Sequence, residues 1–229
     1  MNDKNMFKEP NKIMMNIVYF VFSRLIKILF FIFLKMEVKG RENFPEKGGI
    51  IVMPNHSSYL DPPLVGTMNT KRLFRFMARH TLFRNFLFGR GIKLTGAFPV
   101  KRGRIDRGAW SKFTEVIKAG YPVVFFPEGT RTLDGELQKG KPGTGMLVYA
   151  SKAPVLPVYI HGAYDIWPKG GKLKLFRRAA VIYGKPMTFE KYFDMPEGRE
   201  VYEKITEDVM DAIKKLKEDY LRCAEEKKK

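Results

Sequence analysis

The sequence predicts an α/β protein: one domain with a mostly buried sheet flanked by helices, preceded by an apolar, amphipathic helical segment. Three observations carry this. Short runs such as GIIVM (49–53), YPVVFF (121–126) and VLPVYI (155–160) are apolar throughout, as strands covered on both faces are. Stretches with helical spacing lie between them. A long apolar segment, IMMNIVYFVFSRLIKILFFIFL, runs from Ile13 to Leu34.

That segment has the length of a membrane-spanning helix, which needs about 20 apolar residues. Arg24 and Lys27 fall in its middle, however, and each charge at a bilayer centre costs roughly 2.5–3.5 kcal/mol on insertion scales. Asn16, Ser23, Arg24, Lys27 and Lys35 recur on one side at helical intervals, interrupted by Phe20 and Phe31. The pattern favours a helix lying in the membrane interface over a core helix or a true span. No small-residue cleavage site follows, only Met36-Glu37-Val38-Lys39, so a signal peptide is not expected.

Further along, Gly49 to Met53 forms the first expected strand. Asp61-Pro62-Pro63 reads as an N-cap with proline at the first helical position. Thr81 to Arg90 reads as a short helix and Thr95 to Val100 as a strand. Asp106 to Ala119 reads as a helix, with Trp110, Phe113, Val116 and Ile117 on one face and Gly120 as its stop. Tyr121 to Phe126 is the next strand, Pro142 to Ser151 a helix, and Val155 to Ile160 and Ala179 to Tyr183 two further strands. Arg199 to Cys223 is an amphipathic helix carrying Val201, Ile205, Val209, Ile213, Leu216 and Tyr220 near one face.

Among the 229 residues, 42 are Lys or Arg and 24 are Asp or Glu, a formal charge of +18. Such a surface attracts polyanions, including anionic lipid headgroups, acidic proteins and nucleic acid. Nucleic acid fits poorly, because no such motif is present and the aromatics sit in apolar strands rather than among the basic residues. Cys223 is the one cysteine, which excludes disulfides and a zinc framework and suits a reducing compartment.

Three loops at strand ends hold the candidate chemistry. In Asn55-His56-Ser57-Ser58-Tyr59-Leu60-Asp61, His56 and Asp61 would point about 140° apart on a regular helix but can converge in a strand-to-helix turn. A carboxylate on one imidazole nitrogen leaves the other free to take a proton. No protein nucleophile completes a triad, so if His56 activates a hydroxyl, that hydroxyl is the substrate's; the alternative is a histidine capping a turn, with Asp61 as an ordinary N-cap. In Pro127-Glu128-Gly129-Thr130-Arg131-Thr132, Gly129 admits a ligand close to the backbone and Arg131 offers a planar fork for phosphate. Glu128 there can accept from a hydroxyl or hold the arginine. In Gly96 to Arg102, a strand runs into Lys101 and Arg102, with Gly103 and Arg104 extending the basic run.

NHSSYLD (55–61), GAFPVKR (96–102), FPEGTRT (126–132) and VLPV (155–158) resemble, in order and spacing, the four blocks of the glycerolipid acyltransferase family, in particular its lysophosphatidic acid acyltransferases. The resemblance implies His56 as general base and Asp61 as its partner. It implies Arg102, Glu128, Gly129, Thr130 and Arg131 as the glycerol phosphate site, and Val155, Leu156 and Pro157 as the acyl-chain wall or the structural floor. Lys101 and Lys141 are further phosphate contacts on charge alone. The implied reaction carries an acyl group from an acyl carrier protein or coenzyme A thioester to the free hydroxyl of 1-acyl-glycerol-3-phosphate, giving phosphatidic acid for phospholipid synthesis. No metal or bound cofactor is required. Oxyanion donors would be amides near Gly129 or Ser57. Residues 1–40 would be the membrane-associating segment and 41–229 the acyltransferase domain, on the cytoplasmic face of the cell membrane. Another acceptor, such as glycerol 3-phosphate or a different lysolipid, and a non-enzymatic basic membrane-binding protein are the alternatives.

Overall fold

A computed structural model of the chain describes residues 11–68, 72–100 and 107–226. The chain runs through α1 (Lys12–Phe33), β1 (Lys35–Lys39), β2 (Ile50–Pro54), α2 (Asp61–Met68), β3 (Arg75–Arg79), α3 (Phe86–Leu94), β4 (Ala97–Val100) and α4 (Arg107–Lys118). It continues through β5 (Pro122–Val124), α5 (Gly143–Ser151), β6 (Val155–His161), α6 (Ala163–Ile166), β7 (Arg178–Tyr183), α7 (Glu190–Phe193) and α8 (Arg199–Glu226). The strands form one seven-stranded sheet in the order β1-β7-β6-β2-β5-β3-β4. All pairings are parallel except β6 with β7. The α/β expectation holds.

Alternation along β2 divides the interior. Ile50 and Val52 point into a cluster with Met15, Tyr19, Leu64 and Val181, under α1 and α2. Ile51 and Met53 point into the other, with Phe113, Leu147, Ile205 and Val209, under α4, α5 and α8. The VLPV block is the first part of β6, next to β2, with Val155, Leu156 and Val158 fully buried.

Several elements differ from the sequence reading. The expected helix at 81–90 resolves into a short 3-10 turn, His80–Phe83, followed by α3. β1 (KMEVK) and β3 (RFMAR) have no expected counterpart, because each mixes charge with apolar side chains and lacks an apolar run. β1 lies inside the 1–40 segment and is an edge strand of the sheet, paired along its length with β7. The stretch 101–106, with Lys101, Arg102, Arg104 and the start of the expected helix at Asp106, lies outside the described residues.

The polar stripe on α1 is turned inward. Ser23 is buried and Asn16 and Lys27 are half-buried, on the side that carries Met15 and Tyr19. Ile17, Val21, Phe22, Leu25, Ile28 and Ile32 are exposed, and Arg24 is the charged residue among them. The helix is long and apolar enough to cross a membrane by length and composition.

α5 and α8 cross at Gly145, whose amide donates to Thr206 Oγ1 at 3.0 Å. A Cβ there would sit 2.0 Å from the Tyr202 carbonyl oxygen, a backbone atom that cannot swing away. Gly145→Ala is expected to lower stability by ~3 kcal/mol, the upper range for overpacking, read as a fall in the urea midpoint.

Candidate active site

β2, β3, β4, β5 and β6 run parallel, so their C-terminal ends share one edge of the sheet. The chain leaves β2 towards β3 on one side, and later crosses from β5 to β6 on the other. Crevices that bind ligands form at such points. The 55–61 loop follows β2 and the 127–132 loop follows β5, on adjacent strands.

Asn55 opens the first loop as a clasp to β6. Its side chain accepts from Ile160 N at 2.7 Å and donates to Ile160 O at 3.1 Å. His56 is buried, its ring stacked on Phe126 at 3.9 Å between centroids. Asp61 is completely buried, and its Oδ2 lies 2.8 Å from His56 Nδ1. The same oxygen accepts from Ser57 N at 2.6 Å and Ser58 N at 2.7 Å. The carboxylate favours the tautomer with the proton on Nδ1, which makes Nε2 the acceptor. Among the described residues, no side chain bonds to Nε2.

The N-cap reading of Asp61 changes in detail. Its carboxylate turns back to Ser57 and Ser58 instead of forward into α2. Pro62 and Pro63 permit this, because they carry no N–H that would need a cap. The next amide, Leu64 N, is satisfied by Leu60 O at 2.9 Å.

Glu128 is buried and faces inward. One of its oxygens accepts from His56 N at 2.7 Å, the other from Gln138 N and Nε2, each at 3.1 Å. It braces the histidine's backbone, and no ion pair joins it to Arg131. Burial drives its carboxyl up from an ordinary 4.5 to about 7, against the lowering pull of the His56 and Gln138 donors and with a further push from Asp61. The two loops are tied again where Thr132 N donates to His56 O at 2.9 Å.

Gly129 turns the second loop with a φ of +71°, in the left-handed region that favours glycine. Gly129 and Thr130 are exposed. The Arg131 guanidinium lies 3.6 Å from the Tyr59 ring centre, and that ring leans on Trp167 at 5.1 Å. Among the described residues no carboxylate pairs with Arg131. Lys141 passes its aliphatic stem near Gly129. Lys101 and Arg102 lie outside the described residues; β4, which precedes them, ends at Val100 on the same sheet edge. The amides expected to serve an oxyanion are occupied, Ser57 N by Asp61 and Gly129 N by Phe126 O at 3.0 Å.

Phe126, Gln138 and Trp167 are not among the sequence candidates. Phe126 reads as the end of a strand and opens the FPEGTRT block, with no role assigned to it. Gln138 lies ten residues beyond Glu128, and Trp167 beyond a separate strand, with no motif linking either to the site.

A buried His–Asp pair, its Nε2 without a side-chain partner among the described residues, thus sits in a loop tied through Thr132 to the one that carries Arg131. Residues 35–161 match the model of the Acyltransferase family, and the chain belongs to that family. It is 28% identical over 157 residues to a chloroplastic 1-acyl-sn-glycerol-3-phosphate acyltransferase of Brassica napus, spanning 67% of this chain and 45% of the relative, less than half of its length. It is 29% identical to a 1-acyl-sn-glycerol-3-phosphate acyltransferase of Bacillus subtilis, over 79% of this chain and 87% of the relative. The fold matches the crystal structure of the 1-acyl-sn-glycerophosphate acyltransferase PlsC from Thermotoga maritima. There the TM-score is 0.69 and the identity 25%, over 89% of this chain and 78% of that one.

The raised Glu128 carboxyl makes stability depend on pH. The folded state holds this proton more tightly than the unfolded chain, so the stabilisation is complete below about 4.5 and is lost as pH rises through about 7. The Tm of wild type is expected to fall relative to that of Glu128→Gln across this window, by roughly 2–8 °C, measured by thermal denaturation.

Proposed function

We propose that this protein acylates the free hydroxyl of lysophosphatidic acid, giving phosphatidic acid, with an acyl carrier protein or coenzyme A thioester as donor. The observation that carries the reading is the His56 ring: Nδ1 is held by a buried carboxylate and Nε2 has no protein partner among the described residues.

His56 Nε2 takes the proton as the acceptor oxygen attacks the thioester carbonyl. Asp61 stabilises the imidazolium that forms. The new C–O ester bond is completed as the C–S bond breaks, and the proton passes from Nε2 to the departing thiolate. The nucleophile is the lipid alcohol, so no acyl-enzyme forms. Glu128 and Gln138 hold the His56 backbone against Asp61, a positioning role.

Arg131 grips the acceptor's phosphate. The Tyr59 ring covers one guanidinium face and fixes its plane, leaving N–H groups for a bidentate contact. Gly129 and Thr130 border that position, Lys141 extends it by charge, and the sequence resemblance adds Arg102, and charge alone Lys101, as further contacts. The exposed arc of α1 lies in the cytoplasmic membrane interface, its buried side seated on α2, so that the acceptor reaches the site from the lipid surface. The names shared by the relatives support this acceptor over glycerol 3-phosphate.

His56→Ala is expected to lower transfer to lysophosphatidic acid by about 10²–10⁴-fold while leaving Tm near wild type, in an assay supplying each thioester in turn. Near-full activity of a folded His56→Ala protein would sink the mechanism. Tyr59→Leu is expected to raise KM for lysophosphatidic acid by about three- to tenfold with little change in kcat, and Tyr59→Phe to keep the wild-type KM, since the ring face and not the hydroxyl holds Arg131.

A further inference from the structure

We propose that residues 169–178 form a second bilayer-contacting surface, one that seats on anionic phospholipid headgroups and continues the lipid-facing side of α1. The inference adds to the acyl-transfer reading and rests on its membrane location.

The segment reads KGGKLKLFRR, with Lys169, Lys172, Lys174, Arg177 and Arg178 and no acidic residue. Every one of its residues is exposed. Among the described residues none of these cations forms an ion pair. Between them stand Leu173 at 48%, Leu175 at 42% and Phe176 at 69% exposure. A water-facing loop gains nothing by interleaving large apolar side chains with uncompensated charges. An interface between headgroups and acyl chains accommodates both.

Phe176 is held in place and not frayed. Its φ is +61°, a left-handed conformation that bulky residues avoid. Its amide donates to Phe33 O at 2.7 Å and its ring meets Phe33 at 5.9 Å. The strained backbone keeps a largely exposed phenyl group against the end of α1. An open cleft of about 470 Å³ lies between them, with Phe31 and Ile32 on one wall and Phe176 and Arg178 on the other. Lys35 adds a further cation to it, and the one acidic residue lining it, Glu37, is paired with Lys39 at 3.3 Å.

The segment begins just after Trp167 and Pro168, and Pro168 pairs with Ser58 in the 55–61 loop. Lys174 N donates to Ile166 O at 2.8 Å, and the neighbouring Trp167 carbonyl accepts from Tyr59 N at 3.1 Å and Ser58 Oγ at 2.8 Å. The loop therefore runs from beneath the Tyr59–Arg131 stack to the membrane helix. An acidic carrier protein would suit the cations alone; the exposed leucines and phenylalanine favour a bilayer.

The single cysteine permits a direct test on the full chain. In a Cys223→Ser background, Leu175→Cys is labelled with a polarity-sensitive fluorophore. Thr188→Cys is the control, next to Met187, which pairs with Val155 at the end of β6 away from the active site. With phosphatidylglycerol/phosphatidylcholine vesicles, the label at position 175 is expected to shift to the blue, less so with phosphatidylcholine alone, while the control stays unchanged. The Lys172→Glu/Lys174→Glu pair is expected to weaken partitioning to the anionic vesicles by about tenfold or more and to leave transfer in detergent micelles near wild type. An unshifted label at 175 on vesicle-bound protein overturns the proposal. So does a charge-reversed pair that binds vesicles normally but shows a raised KM for the acyl carrier protein thioester alone, since the surface then serves a protein. Absence of transfer by wild type in micelles counts against the acyl-transfer reading, and the label shift still decides the lipid contact on its own.

Discussion

One buried carboxylate oxygen organises the candidate site. Asp61 Oδ2 receives three N–H groups, from the His56 ring and from the Ser57 and Ser58 amides, while the residue is wholly removed from water. A buried carboxylate is tolerated when donors replace its lost hydration; at Oδ2 the donors are the histidine loop itself, while among the described residues Oδ1 has no partner. Folding the loop and orienting the imidazole are therefore a single event. The opposite side is held the same way, since Glu128 takes the His56 amide and Gln138 donates to Glu128.

Much of this is legible from residue order. Apolar runs locate β2, β5, β6 and β7, because strands covered on both faces cannot hide their composition. The turn at 55–61 suggests the His56–Asp61 contact, since a strand-to-helix turn folds back on itself within that length. What stays hidden depends on tertiary partners. KMEVK and RFMAR look like surface sequence and become strands because β7, β5 and β4 offer them pairing edges. FPEGTRT suggests that Glu128 faces a ligand or Arg131. The fold turns it inward, where the buried His56 amide needs an acceptor. Arg131 instead rests on Tyr59, and Tyr59 on Trp167, two contacts between separate stretches of chain that no spacing rule announces.

The N-terminal helix shows how pattern and context divide the work. Composition alone marks an apolar segment with a polar stripe, and on an isolated interfacial helix such a stripe would face water. The fold places Asn16, Ser23 and Lys27 towards the domain and leaves the aliphatic arc outside. Met15 and Tyr19 decide the orientation, since each fills the core below the sheet. A helix that packs Met15, Tyr19 and Phe20 on its own protein, takes Ser23 and Lys27 in with them, and keeps an aliphatic arc outside is suited to a lipid neighbour.

Tyr19 also donates from its hydroxyl to Gly66 O at 2.7 Å, and Gly66 lies in the short helix that Asp61 begins. The greasy helix is thus fastened to the element that carries the acid, with little more than one helical turn between the two points. Trimming the first thirty-odd residues to remove the apolar helix would also remove a support of the His56–Asp61 loop. Solubility is better sought by making the outer arc polar, at positions such as Val21, Leu25 and Ile28, while keeping Met15 and Tyr19.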